Sequence, residues 1–114
     1  MKATELRIGN IIDMGIEGIG QVSGYNLYQK SIHDNGGDVA DYYRQWKPIP
    51  ITEEWLRKFA KRKEVIFFIL DDRLSISIEN ILYINGQYWG ELLYVHQLQN
   101  LYFALNGEEL TLIQ

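Results

Sequence analysis

The dipeptide Asn85-Gly86 constrains this chain more than any other feature. It sits inside "ILYINGQYWGELLY", between two runs rich in aliphatic and aromatic residues. A two-residue type I′ turn needs positive φ at both central positions, and Asn-Gly meets that need at low steric cost. The turn sets a register: Ile84 opposite Gln87, Tyr83 opposite Tyr88, and Leu82 opposite Trp89. Upstream, "VIFFIL" (Val65 to Leu70) is β-branched and aromatic. "LSISIEN" then alternates, with Leu74, Ile76 and Ile78 on the inward side and Ser75, Ser77 and Glu79 on the outward side. These two runs predict an antiparallel hairpin whose first strand is the more buried.

Two helices frame this meander. "PIPITEEWLRKFAKRK" predicts one from about Thr52 to Arg62. Thr52 is a good N-cap, Glu53 and Glu54 suit the positive end of the helix dipole, and Lys61, Arg62 and Lys63 suit the negative end. Trp55, Leu56, Phe59 and Ala60 form one apolar stripe. In the second helix Val95, Leu98, Leu101, Tyr102 and Leu105 recur at three- and four-residue steps, and Gly107 fits the left-handed position after the last turn.

The first half is less regular. A strand is expected near Asn10 to Met14, and "GQVSGYNLYQKSI" reads as one or two more, with Val22, Tyr25, Leu27, Tyr28 and Ile32 as the apolar set. "HDNGGDVADYYRQW" reads as a loop, and "ELTLI" as a closing strand. The expected architecture is α+β: a mostly antiparallel sheet of five to seven strands with two helices, in one domain spanning 1–114. The N-terminal strands could curl into a small barrel-like meander.

The chain has no cysteine, so thiolate chemistry and disulfides are excluded. "MKATELRIGN" has no apolar core of a signal peptide, and no apolar run approaches the ~20 residues that span a bilayer. A cytoplasmic location and no membrane contact are expected. The net charge of −4 is uneven: Met1 to Lys63 holds ten Lys and Arg against eight acids, and Glu64 to Gln114 one Arg against seven acids. The acidic half argues against non-specific nucleic-acid binding over the whole surface but leaves room for a local basic patch.

Three constellations could carry function. His33, Asp34, Asp38 and Asp41 share a glycine-containing loop. Their spacing fits neither a calcium loop nor a zinc site, so a polar turn is the reading, with no metal and no cofactor expected. Arg44, Trp46 and Lys47, followed by Arg57, Lys58, Lys61 and Arg62, make a basic stretch with interleaved aromatics, the footprint of single-stranded nucleic-acid binding. Helix-dipole complementation and a buried Trp46 account for the same residues. No nucleophile elbow, zincin motif or phosphate loop is present, and catalysis is not expected.

The third constellation is "YVHQLQNLYFALNG", which contains no Lys, Arg, Asp or Glu. His96, Gln99, Asn100 and Phe103 fall at i, i+3, i+4 and i+7 and form a second helix face. Amides, an imidazole and a phenyl ring suit a mostly buried place that needs hydrogen bonds, where an unpaired charge would be costly. The face therefore touches protein. It lies either against this chain's own loops or in an interface anchored by Phe103.

"ELRIGN", "PIPITEEWLRKF" and "YVHQLQNLYFALNGEEL" together resemble a family of small uncharacterised proteins from gut anaerobic bacteria, of prophage or mobile-element type. The family pattern more often has Gly where Ala60 stands and Thr where Asn106 stands. Ala60 then implies that the first helix runs on into the basic stretch. The family has no assigned activity, so the resemblance transfers no catalytic residue. It implies a bacterial accessory protein. The expected function is a non-catalytic protein-interaction module, self-association included, with a small nucleic-acid-binding protein as the alternative.

Overall fold

A computed structural model describes residues 1–113. These residues build two antiparallel sheets and three α-helices, an α+β fold without a closed barrel. A two-stranded ribbon pairs β1 (Ile11–Asp13) with β2 (Ile19–Gln21), and α1 (Gly24–Asp34) follows it. After α2 (Glu53–Phe59), a five-stranded meander runs β3 (Arg62–Glu64), β4 (Phe67–Ile69), β5 (Leu74–Ser77), β6 (Ile81–Ile84) and β7 (Gln87–Glu91). α3 (Val95–Asn106) closes the regular structure.

The core is divided. The larger part gathers Leu56, Phe59, Phe68, Leu74, Ile76, Leu82, Val95 and Leu98 between the meander, α2 and α3. The smaller gathers Ile12, Met14, Val22, Tyr43 and Trp46. Strand periodicity explains the split at β1: neighbouring residues face opposite ways, so Ile11 enters the larger core and Ile12 the smaller. The molecule is elongated, with extents of 49 × 24 × 21 Å.

The Asn85-Gly86 turn forms as expected, with Asn85 at φ 53 and Gly86 at φ 78, and it pairs Ile84 with Gln87 and Tyr83 with Tyr88. Beyond that point the register slips. Leu82 pairs with Gly90 instead of Trp89, because a bulge inserts Trp89 as an extra residue. The strict alternation in "LSISIEN" also breaks. Ser77 is 4 % exposed and Ile78 46 %. The Ser77 hydroxyl accepts from the amides of Glu79 and Ile81 at 3.2 Å each, so it anchors the turn that ends β5. "VIFFIL" contributes only Phe67–Ile69 as strand, with Val65 and Ile66 exposed in the turn before it.

Expectations in the first half, at the end of α2 and at the C-terminal segment are corrected. "GYNLYQKSI" is helical, so the described residues form three α-helices, not two, and no barrel-like meander. Ser23 caps α1 by accepting from the Asn26 amide at 3.1 Å, and Lys30 pairs with Asp34 one turn on. Tyrosines that suggested strands stand exposed at Tyr25 and Tyr28. Gly37 lets the chain reverse, since a Cβ there would meet Ile32 Cγ2 at 2.1 Å. α2 stops at Phe59, with Ala60 extended, because the sheet takes the following backbone: the Lys61 amide donates to the Ile69 carbonyl at 2.8 Å. "ELTLI" forms no strand among the described residues. It is held by buried Leu110 and by the Ile113 amide donating to the Lys58 carbonyl at 2.6 Å.

Candidate functional site

The neutral face of α3 is turned largely onto its own chain. Gln99 is 2 % exposed. Its Oε1 accepts from the Ile11 amide at 2.8 Å and its Nε2 donates to the Gly9 carbonyl at 3.2 Å. One side-chain amide thus does what a neighbouring strand would do along the outer edge of β1. At Asp13 the same edge is served by Lys47, whose backbone exchanges both hydrogen bonds at 3.0 and 2.8 Å. Asn100 Oδ1 accepts from Asn10 Nδ2 at 2.7 Å, and Asn10 is itself fully buried. The Arg7 guanidinium lies 4.1 Å from the centre of the Phe103 ring and pairs with Glu109. Gln99, Asn100 and Phe103 therefore hold the segment Arg7 to Ile11, which joins the two cores.

His96 points to another region. Its ring is buried, stacks on Tyr94 with centroids 5.9 Å apart, and leaves Nδ1 buried without a hydrogen-bond partner. Burial pushes its pKa below the ordinary imidazole value, against the opposing pull of the Glu5 charge. His96 and Asn100 line a groove of about 580 Å³ between α3 and β7. Trp89, Leu92, Leu93 and Leu101 supply its apolar wall, and Glu5 and Glu91 its acidic rim. No Lys or Arg is among its lining residues.

The groove residues from β7 escaped the sequence reading. Trp89 was expected opposite Leu82 as a paired strand residue. The bulge puts Trp89 and Gly90 together opposite Leu82, which brings Trp89 into the groove. The aromatic density of "QYWGELLY" is the signal that could have found it.

The basic stretch does not assemble as expected. Trp46 is 1 % exposed, in the smaller core, and offers no ring to a base. Arg44 lies exposed on a short 3₁₀ turn (Asp41–Gln45), and the Lys47 side chain is exposed beside it. Arg57 pairs with Glu53 at 3.1 Å, and Lys58 lies near Glu54 at 3.8 Å and over the Trp55 ring. Arg62 pairs with Glu64 at 3.2 Å. Arg57, Lys61, Arg62 and Lys63 nevertheless line a second groove of about 280 Å³.

In the former loop constellation, Asp34 is engaged by Lys30 and by the Ala3 amide at 2.7 Å, with His33 Nδ1 3.7 Å away. Among the described residues, no three His, Cys, Asp or Glu are grouped to hold a metal ion. Nor, among the described residues, is any helix long and apolar enough to cross a membrane. Comparison with protein-family models, curated proteins and solved structures found no match for this chain.

Proposed function

We propose that this chain is a non-catalytic protein-interaction module, a cytoplasmic accessory protein of prophage or mobile-element type. The observation that carries the reading is the groove between α3 and β7, where Trp89 and Leu93 remain about half exposed above buried Leu92 and His96. Apolar walls with a few polar groups are the usual composition of an interaction site. The contact surface on α3 is then its His96 and Asn100 side. Gln99 is occupied within the chain, and Phe103 is covered on one face by Arg7. The accessory assignment rests on the family resemblance of the three quoted stretches.

The test is capture from bacterial lysate with the full chain as bait, beside the double variant Trp89→Glu, Leu93→Glu. The proposal expects a stoichiometric partner that the variant loses while its circular dichroism is unchanged. Equal capture by both baits, or none by either with a monomeric wild-type mass, refutes it. Light scattering decides whether the partner is a second copy.

A second reading, nucleic-acid binding, draws on the four cations that line one groove near β3. Glu53 and Glu64 offset part of that charge. Binding to a labelled single strand at about 50 mM salt, falling steeply as salt rises, would support it, and no binding under those conditions removes it.

A further inference from the structure

We propose that the free edge of β7 takes up an extended basic peptide as a sixth antiparallel strand, with the peptide's apolar side chains seated in the groove against α3. The inference rests on the interaction-module reading and names its partner's chemistry. β7 is the last strand of the meander and, among the described residues, pairs only with β6. Antiparallel pairs alternate between those that exchange hydrogen bonds and those whose N–H and C=O point outward. The Leu92 amide donates to the Asn80 carbonyl at 3.0 Å, so the next pair, Ile81 with Glu91, is of the outward kind. Ile84 and Gln87 close the two-residue turn, so the Tyr83–Tyr88 pair is outward as well. Tyr88 and Glu91 thus present backbone donors and acceptors on the open edge, about 10 Å apart, the reach of a short extended peptide.

The two edges of the sheet differ. β3, at the far side, is Arg62, Lys63 and Glu64, the run of charges that blunts an edge. β7 carries aromatic residues and one acid, Glu91. Beside it the groove offers an apolar wall of Trp89, Leu92, Leu93 and Leu101. Strand addition draws its affinity from main-chain hydrogen bonds and its selectivity from side-chain pockets next to the edge. The charge of the occupant follows from the rim. Glu5 and Glu91 flank the groove without a cation among its lining residues, so a peptide with Lys or Arg on its outer face is attracted. A second copy of this chain would bring the same acidic rim against it.

The test is a titration of the isotope-labelled full chain with the blocked peptide Lys-Val-Lys-Val-Lys-Val, followed by amide NMR. Saturable shifts centred on Tyr88 to Glu91 and on the first turns of α3 are expected. The Glu-Val-Glu-Val-Glu-Val peptide should bind about tenfold more weakly, and so should a Lys-Val peptide with alternate amides N-methylated. Glu91→Lys should lose most of the affinity with the spectrum otherwise unchanged. No binding, equal binding by the N-methylated or acidic peptide, or shifts confined to other surfaces overturns strand addition. So does a wild-type dimer that Trp89→Glu dissociates. Groove-dependent capture of a partner without peptide binding would overturn this inference and leave the module reading intact.

Discussion

Replacing Gln99 separates an internal role from an interface role for the neutral helix face. The side chain is 2 % exposed, and both ends of its amide are used, at 2.8 Å to the Ile11 amide and 3.2 Å to the Gly9 carbonyl. Gln99→Leu keeps about the same volume and deletes both bonds. Leaving a buried donor or acceptor without a partner costs roughly 1–3 kcal/mol. Ile11 is deeply buried, whereas Gly9 is half-buried and water can reach it more easily. The expected loss is therefore about 2–4 kcal/mol, a substantial share of the stability of a domain this size. Urea unfolding would read it directly, and the melting temperature should fall by about 10 °C. The slope of the urea transition should not change, because the surface exposed on unfolding is the same. A variant within about 0.5 kcal/mol of wild type, but defective in association, would refute the reasoning, since Gln99 would then serve an intermolecular contact.

Three further outcomes follow from the same geometry. Burial disfavours the Asp34 carboxylate, but the Lys30 hydrogen bond and charge and the Ala3 amide outweigh it and hold its pKa below the usual carboxylate value. A depressed pKa stabilises the fold above the unfolded value of about 3.9 and loses that contribution as pH falls through the lower folded value. Lys30→Met should accordingly cost about 3 kcal/mol at neutral pH, and the gap to wild type should shrink on acidification, as urea titrations at several pH values would show. Phe103→Asp should fold, because the ring is already partly exposed, and should lose about 1 kcal/mol through the contact with Arg7; collapse of the circular dichroism signal would contradict this placement. Ser77→Ala should destabilise by about 1 kcal/mol by freeing two turn amides, whereas Ile78→Ser should be nearly neutral, and the reverse order in urea midpoints would contradict the observed register.

Signals that act over a few residues were legible in the sequence. The Asn85-Gly86 turn, the Thr52 cap at 3.3 Å from the Trp55 amide, and Gly107 in the left-handed conformation depend on local backbone chemistry alone. The features that were not legible depend on neighbours distant in sequence. α1 was obscured because Tyr25 and Tyr28 favour strands on an intrinsic scale, while its buried cation pairs through a turn of helix that only tertiary contact with Ala3 completes. α2 ended early because Ile69, ten residues on from Phe59, took the Lys61 amide. The same division holds at the candidate site. The absence of charge on α3 left open whether its face lay within the chain or in an interface; Gln99 and Asn100 meet the segment Glu5 to Ile11, about ninety residues away. The groove needed the bulge at Trp89, and the register set by the Asn85-Gly86 turn does not place that bulge.

Hydrogen exchange on the captured complex tests the docking claim most directly. The account predicts slowed exchange at the amides of Tyr88 to Leu93 and over the first turns of α3, with Ile11 protected equally in free and bound chains. Protection confined to Arg57–Lys63 or to the exposed face of α1, with the amides of β7 exchanging as in the free protein, would contradict it.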